Sequence, residues 1–201
     1  TLTYDLASIK RMLAQINLVP TPGGNSQLPS NQRDMYEHVL SDEEITLIEP
    51  LSEQSKDSVI TISQGGCSGT LIHPEIVLTN AHCVVHNQRL DIGFKGGEQI
   101  RGDALALNEL IDMAVVKLRS PAPGIYPPVS LADVAFADGD IGYGIGSPGA
   151  LWAQQGGWQV SPMQAKGYRR GDYIMSGYIL PGSSGSGVFN DNGALSSVLW
   201  G

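Results

Sequence analysis

From Ser58 onward the chain breaks into short runs rich in Val, Ile and Thr, punctuated by glycine and polar turns: Val59–Ser63, Gly69–Ile72, Ile76–Thr79, Leu90–Phe94, Ala114–Leu118, Ile141–Ile145, Tyr173–Ser176, Val188–Phe189 and Leu195–Trp200. Runs this short and this closely spaced leave little room for crossover helices. They predict an all-β domain, a sandwich or barrels, rather than a parallel sheet. The turn Asn190-Asp191-Asn192-Gly193 between the last two runs predicts a hairpin.

The first 55 residues follow a different period. Leu2, Leu6, Ile9, Leu13 and Ile16 recur at spacings of four and three, which places them on one stripe of an amphipathic helix. Pro20, Pro22, Gly23 and Gly24 break that pattern, and a second helix is predicted over Asn31–Leu40. Ser41 with Glu44 has the form of a capping box before Pro50. The chain is therefore divided into a helical N-terminal extension, residues 1–55, and an all-β domain, residues 56–201. The apolar stripe must pack on something, so packing, regulation and docking of a partner or a second copy are all open to it.

Composition narrows the function classes. A chain of 201 residues that is 41% apolar can bury one sizeable core or two small ones. Its 20 Asp and Glu against 12 Lys and Arg give a net charge of -8, which argues against nucleic acid as a partner. No apolar run approaches the roughly 20 residues of a membrane span, and no signal-type apolar core is visible at the start. The chain opens on Thr1 rather than Met and reads as a processed or trimmed piece, so the missing signal carries little weight.

Acyl transfer by serine requires a hydroxyl, a base to take its proton, a carboxylate to orient the base, and amides to hold the oxyanion. The segment Leu180-Pro181-Gly182-Ser183-Ser184-Gly185-Ser186-Gly187 offers three serines. Gly66-Cys67-Ser68-Gly69-Thr70-Leu71-Ile72 is followed by Val77-Leu78-Thr79-Asn80-Ala81-His82-Cys83-Val84, and further on stands Leu110-Ile111-Asp112-Met113-Ala114-Val115-Val116. Together these segments resemble the trypsin/chymotrypsin-like serine proteases. The histidine segment is similar to Thr-Ala-Ala-His-Cys, the aspartate segment to Asp-Ile-Ala-Leu-Leu, the serine segment to Gly-Asp-Ser-Gly-Gly-Pro, and Ser197-Val198-Leu199-Trp200-Gly201 to Val-Ser-Trp-Gly. Four matches in the family's order are far more specific than any one of them, and they extend over about residues 56–201.

The resemblance implies two antiparallel six-stranded β-barrels with a cleft between them. It implies a serine endopeptidase acting on protein or peptide through an acyl-enzyme, with His82, Asp112 and Ser184 as the triad and the amides of Gly182 and Ser184 as the oxyanion hole. It places Cys67 and Cys83 where the family often has a disulfide, and a bridge would indicate a secreted or periplasmic setting; two buried thiols in a cytosolic protein are the other reading. Tyr178, six residues before the nucleophile, falls at the base of the specificity pocket, with Ile179, Leu199, Trp200 and Gly201 along the substrate. No acidic residue is there to receive Lys or Arg, so uncharged, small or apolar side chains are expected before the scissile bond. The short interval from His82 to Asp112 and the Leu180-Pro181-Gly182-Ser183-Ser184 segment look closest to compact bacterial members, of the high-temperature-requirement or glutamyl-endopeptidase kind, or to viral ones.

Two departures qualify the resemblance. Ser183 replaces the aspartate that pairs with a freed N-terminus in trypsin-like zymogens, so that switch is not expected. The sequence stops at Gly201, where the family continues through another strand and a C-terminal helix.

Each assignment has a plainer competitor. A Gly/Ser-rich segment is ordinarily a loop or linker, Asp112 a polar stop before a buried strand, and a lone histidine a satisfied turn residue, as His73 before Pro74 is expected to be. His38 and His86 have no motif around them. Gly144-Ile145-Gly146-Ser147-Pro148-Gly149 fits the dinucleotide pattern but opens no helix, so it reads as strand and turn. No cofactor is implied, and no cysteine or histidine cluster has metal-ligand spacing. The alternative function is a catalytically inactive protease-like binding module.

Overall fold

In the computed structural model, residues 17–20, 50–63, 66–85, 89–147, 159–169, 172–177 and 182–200 are described. Twelve strands are found among them: β1 (Asn17–Pro20), β2 (Val59–Ile62), β3 (Cys67–His73), β4 (Ile76–Thr79), β5 (Leu90–Gly93), β6 (Gln99–Asn108), β7 (Met113–Leu118), β8 (Ile141–Gly146), β9 (Gln159–Arg169), β10 (Asp172–Ser176), β11 (Gly187–Asn190) and β12 (Leu195–Trp200). They close into two six-stranded barrels, ordered β2-β3-β4-β7-β6-β5 and β1-β10-β9-β8-β11-β12.

Strand β7 shows why apolar runs here are continuous rather than alternating. Successive side chains leave a strand on opposite faces. Ala114 and Val116 enter the interior of the first barrel with Ile60, Leu71, Val77, Ile92 and Phe94. Met113 and Val115 face the other way, into a core shared with Tyr143, Ile145, Phe189, Leu195 and Val198 of the second barrel. One strand thus serves a barrel interior and the seam between barrels, and both faces must be apolar. A smaller cluster of Phe136, Met163, Ala165, Met175, Val188 and Leu199 fills the second barrel.

The residues preceding β2 are pinned to this seam. Helical residues 50–55 lead into a 3-10 turn, Lys56–Ser58, and the Ser55 hydroxyl lies 2.9 Å from the Tyr143 hydroxyl. Tyr143 in turn stacks on Phe189, with ring centroids 5.4 Å apart. At the β11–β12 hairpin, Asn190 Oδ1 accepts from the amides of Asn192 and Ala194, at 3.0 and 2.9 Å, and Gly193 takes a φ of 76° that a side chain would oppose. The expected turn is therefore present, and so is the one at His73, whose Nδ1 accepts from the Glu75 amide at 3.3 Å.

The expected all-antiparallel arrangement holds except at β1. That strand pairs in parallel with β12, Asn17 opposite Ser197 through Pro20 opposite Trp200, and also in parallel with β10 at Leu18 and Asp172. It belongs to the extension read from sequence as helical. The stripe Leu2–Ile16, the helix over Asn31–Leu40 and the capping box at Ser41 lie outside the described residues. Gly144 and Gly146 of the dinucleotide-like pattern lie on β8, not at the start of a helix. A Cβ on Gly146 would come within 2.3 Å of Ser186 Oγ, so that glycine is there for packing. Among the described residues no helix is long and apolar enough to cross a membrane.

Candidate active site

His82 opens a single helical turn, His82–Val85, that follows β4 directly. Asp112 stands just before β7, which is hydrogen-bonded to β4 with Thr79 opposite Ala114. Adjacent strands therefore carry the two residues to the same edge of the first barrel. There the Asp112 carboxylate binds His82 twice. Oδ2 lies 2.7 Å from Nδ1, and Oδ1 accepts from the His82 backbone amide at 2.9 Å. Two contacts from one carboxylate fix the ring's position, and a carboxylate that accepts from Nδ1–H leaves Nε2 as the acceptor.

Asp112 itself sits in the left-handed region, with a φ of 45°. Aspartate tolerates that conformation better than most residues. The Asn80 side-chain amide donates to the Asp112 carbonyl at 2.9 Å and so braces the turned backbone from β4.

The serine segment reaches this edge from the second barrel. Its Ser184 carbonyl accepts from the Ser68 amide at 2.8 Å, and the Gly182 carbonyl accepts from the Ser68 hydroxyl at 3.1 Å. The Cys83 sulfur lies 3.8 Å from the Ser184 carbonyl oxygen and 3.6 Å from His82 Nε2, so the backbone of the serine turn and the imidazole both border the Cys67–Cys83 bridge. Within the turn the Ser183 carbonyl accepts from the Ser186 amide at 2.9 Å. Because N–H and C=O of a trans peptide point in opposite directions, the Ser184 amide is turned away from that internal bond, as an oxyanion donor needs to be.

Glycine is required at two places in this turn. Gly182 has a φ of 95° and Gly185 a φ of 85°. A Cβ on Gly185 would also come within 2.1 Å of the Ser68 carbonyl oxygen and 2.2 Å of Thr79 Oγ1. Here the serine turn is seated directly on β3 and β4, with no room for a side chain.

Cys67 and Cys83 are bridged, tying the first residue of β3 to the helical turn that carries His82. In the chain-entropy model a loop of 16 residues contributes about 3 kcal/mol. Ser183 is buried, and its hydroxyl points toward Gly146 of β8. No charge occupies the position.

The expected substrate-contacting residues divide. Tyr178, Ile179 and Gly201 lie outside the described residues, and only the backbone of Trp200 is described. The Leu199 side chain is 2% exposed and packs in the second-barrel core, while its carbonyl accepts from the Gly185 amide at 2.9 Å and its amide donates to the Ser186 carbonyl at 2.8 Å. Those two bonds hold the serine turn against β12. Beside the His82–Asp112 pair lies a cavity of about 190 Å³ lined by Ala81, His82, Val85, Glu109 and Asp112. Ser68 and Asn80 stand inside the segments that carry the resemblance, but the sequence assigns neither a role. Their one signal is chemical: polar residues in strands otherwise committed to the core must find partners.

A family model for the trypsin-like peptidase domain matches residues 67–196. No curated protein matches the sequence significantly. Among solved structures, the Rv3671c protease of M. tuberculosis H37Rv in an inactive form is 21% identical, with a TM-score of 0.65, over 81% of this chain and 86% of that one. A serine endoprotease from Yersinia pestis is 19% identical, with a TM-score of 0.64, over 75% of this chain and 56% of that one. At these identities the structural likeness speaks for the fold alone.

Proposed function

Because the chain belongs to the trypsin-like serine proteases, residues 67–196 matching the family's peptidase domain, we propose that it is an active serine endopeptidase whose triad is His82, Asp112 and Ser184. The observation that carries the proposal is the double contact of the Asp112 carboxylate with His82, on an edge that the Ser184 turn also reaches.

In this mechanism His82 Nε2 takes the proton from the Ser184 hydroxyl as the oxygen attacks the scissile carbonyl. Asp112 keeps Nδ1 protonated and stabilises the imidazolium that forms. The amides of Gly182 and Ser184 receive the oxyanion. The imidazolium then protonates the leaving amine, and water, activated by the same nitrogen, hydrolyses the acyl-enzyme.

The substrate is protein or peptide, with an uncharged, small or apolar residue before the scissile bond, in keeping with an uncharged Tyr178 at the sequence position six before the nucleophile. The Cys67–Cys83 bridge supports an oxidising setting, secreted or periplasmic. A fluorophosphonate probe tests the reading most directly. Wild-type protein is expected to label stoichiometrically at Ser184, and Ser184→Ala and His82→Ala not at all. A folded wild-type chain that never labels would make the protein an inactive binding module instead.

A further inference from the structure

The catalytic edge also brings together three side chains whose sequence spacing is that of no metal motif. The Sγ atoms of Cys67 and Cys83 and a ring nitrogen of His82 all lie within 4.8 Å of one another, and Cys83 Sγ is 3.6 Å from His82 Nε2. We infer that Cys67, Cys83 and His82 form a zinc site that assembles when the disulfide is reduced and that occupies the imidazole nitrogen needed as a base. The site itself rests only on this geometry; its inhibitory effect rests on the serine-protease reading.

Three features fit a thiophilic cation. Zinc bonds of about 2.3 Å to sulfur and about 2.0–2.1 Å to nitrogen put neighbouring ligands of a tetrahedron about 3.3–3.8 Å apart. The Cys83–His82 spacing already falls there. Asp112, 2.7 Å from Nδ1, fixes the tautomer whose free lone pair is on Nε2, which is the carboxylate–histidine arrangement that supports metal-bound imidazoles. Finally, the two cysteines are held near each other by more than their bond. Cys67 pairs with Ile62 across β2 and β3, and the amides of Val84 and Val85 both donate to the Ala81 carbonyl at 2.9 Å.

The bridged sulfurs have no charge and bind zinc poorly, so the site is closed in the oxidised protein. A dithiol reductant opens it: one thiolate attacks a bridge sulfur, its second thiol resolves the mixed disulfide, and two protein thiols and a cyclic disulfide result. Zinc then displaces both thiol protons as it binds. With His82 43% exposed, solvent can supply the fourth ligand. Cys67 and Cys83 are only 8% and 2% exposed, which makes the exchange slow and selective for small reductants.

The test uses the full chain carrying Ser184→Ala, reduced with a dithiol, desalted under inert gas and titrated with cobalt and then zinc. One cobalt per reduced chain, with thiolate-to-cobalt charge transfer and the visible bands of a tetrahedral ion, is expected, and none of these in the oxidised chain. His82→Ala should weaken binding at least tenfold, and Asp112→Asn by about 10–100-fold. Reduced chain that keeps its circular dichroism yet binds no cobalt overturns the site, as does unfolding on reduction with zinc already present. In the wild type, zinc should slow fluorophosphonate labelling at least tenfold only after reduction, reversibly by chelator. If the wild type never labels while the Ser184→Ala chain binds cobalt as described, the protease reading fails and the metal site stands.

Discussion

The Ser68 hydroxyl donates to the Gly182 carbonyl at 3.1 Å, joining β3 of one barrel to the serine turn of the other. The same oxygen accepts from the Ser147 amide at 2.9 Å, at the end of β8. A fully buried side chain of two heavy atoms thus ties the two barrels together beside the candidate site.

Ser68→Ala leaves the Ser147 amide and the Gly182 carbonyl without that partner, and each buried unpaired group costs about 1–3 kcal/mol. A loss of about 2 kcal/mol or more in denaturant unfolding is expected. The rate of fluorophosphonate labelling should fall by about tenfold or more, because the turn that carries Ser184 loses a tether. A labelling rate equal to wild type would show that the Ser68 amide alone, 2.8 Å from the Ser184 carbonyl, fixes the turn.

Gly185 and Gly97 provide a matched comparison. Both have positive φ, 85° and 95°, but a Cβ on Gly97 meets nothing within 4 Å, whereas on Gly185 it meets backbone and hydroxyl near 2.1 Å. Gly97→Ala is expected to cost about 1–2 kcal/mol from conformation alone. Gly185→Ala adds displacement of the serine turn, for about 3 kcal/mol or more in total, and should abolish labelling. Equal unfolding midpoints for the two variants would refute the close seating of this turn on β3.

Asp112→Asn separates orientation from stability. Asparagine accepts a φ of 45° as readily as aspartate, so the unfolding midpoint should stay close to wild type. The amide can still accept from the His82 backbone, but its other arm donates to Nδ1 and selects the wrong tautomer. Turnover of a peptide ester is expected to fall on the order of 10³–10⁴-fold. Asp112→Ala should cost stability as well, since alanine resists that backbone.

How much of this was legible in sequence follows from what each residue contacts. Met113–Leu118 and Ile76–Thr79 are legible through Met113-Ala114-Val115-Val116 and Ile76-Val77-Leu78, where both faces enter cores and the apolar run is continuous. Gln99–Asn108 was not, since most of its side chains are exposed and its one buried residue is Gly102, where a Cβ would strike Val116 at 2.5 Å. Gln159–Arg169 gives only a weak strand signal, because Ser161, Met163 and Ala165, the buried residues among its described side chains, are not β-branched. The site residues were legible through family resemblance. Ser68 and Asn80 act through bonds to backbone carbonyls far along the chain, which no local pattern encodes.

Tyr126 makes the stability of the first barrel depend on pH. Its hydroxyl donates to Glu98 at 2.6 Å and accepts from the Gly96 amide at 2.8 Å, while its ring stacks on Phe94. The bond from Tyr126 holds the Glu98 carboxyl below its usual value of 4.5. A depressed carboxylate contributes stability above its unfolded pKa and loses it as pH falls through the folded one. Tyr126→Phe should therefore melt lower than wild type at pH 7, with the gap narrowing as the pH drops below the ordinary glutamate range. A gap that stays constant down to acid pH would trace the effect to the Gly96 amide alone.

Deleting residues 1–20 tests what closes the second barrel. Strand β1 supplies the pairing between β10 and β12, and without it both present open edges, which invite association. Its ladder to β12 spans four residue pairs, and at about 0.5–1.5 kcal/mol for each net hydrogen bond the loss should reach about 2 kcal/mol. For a chain of this length that is a fall in Tm of about 4–8 °C. Packing of the apolar stripe Leu2–Ile16 on the barrels, which we propose as its role, would deepen the fall. Thermal melts with light scattering on the truncated chain give the answer: an unchanged melting curve would remove β1 and the stripe from the stability of the barrel. Faster fluorophosphonate labelling at an unchanged Tm would instead make the segment a brake on the site, since β1 runs beside Leu199 and Trp200, immediately behind the serine turn.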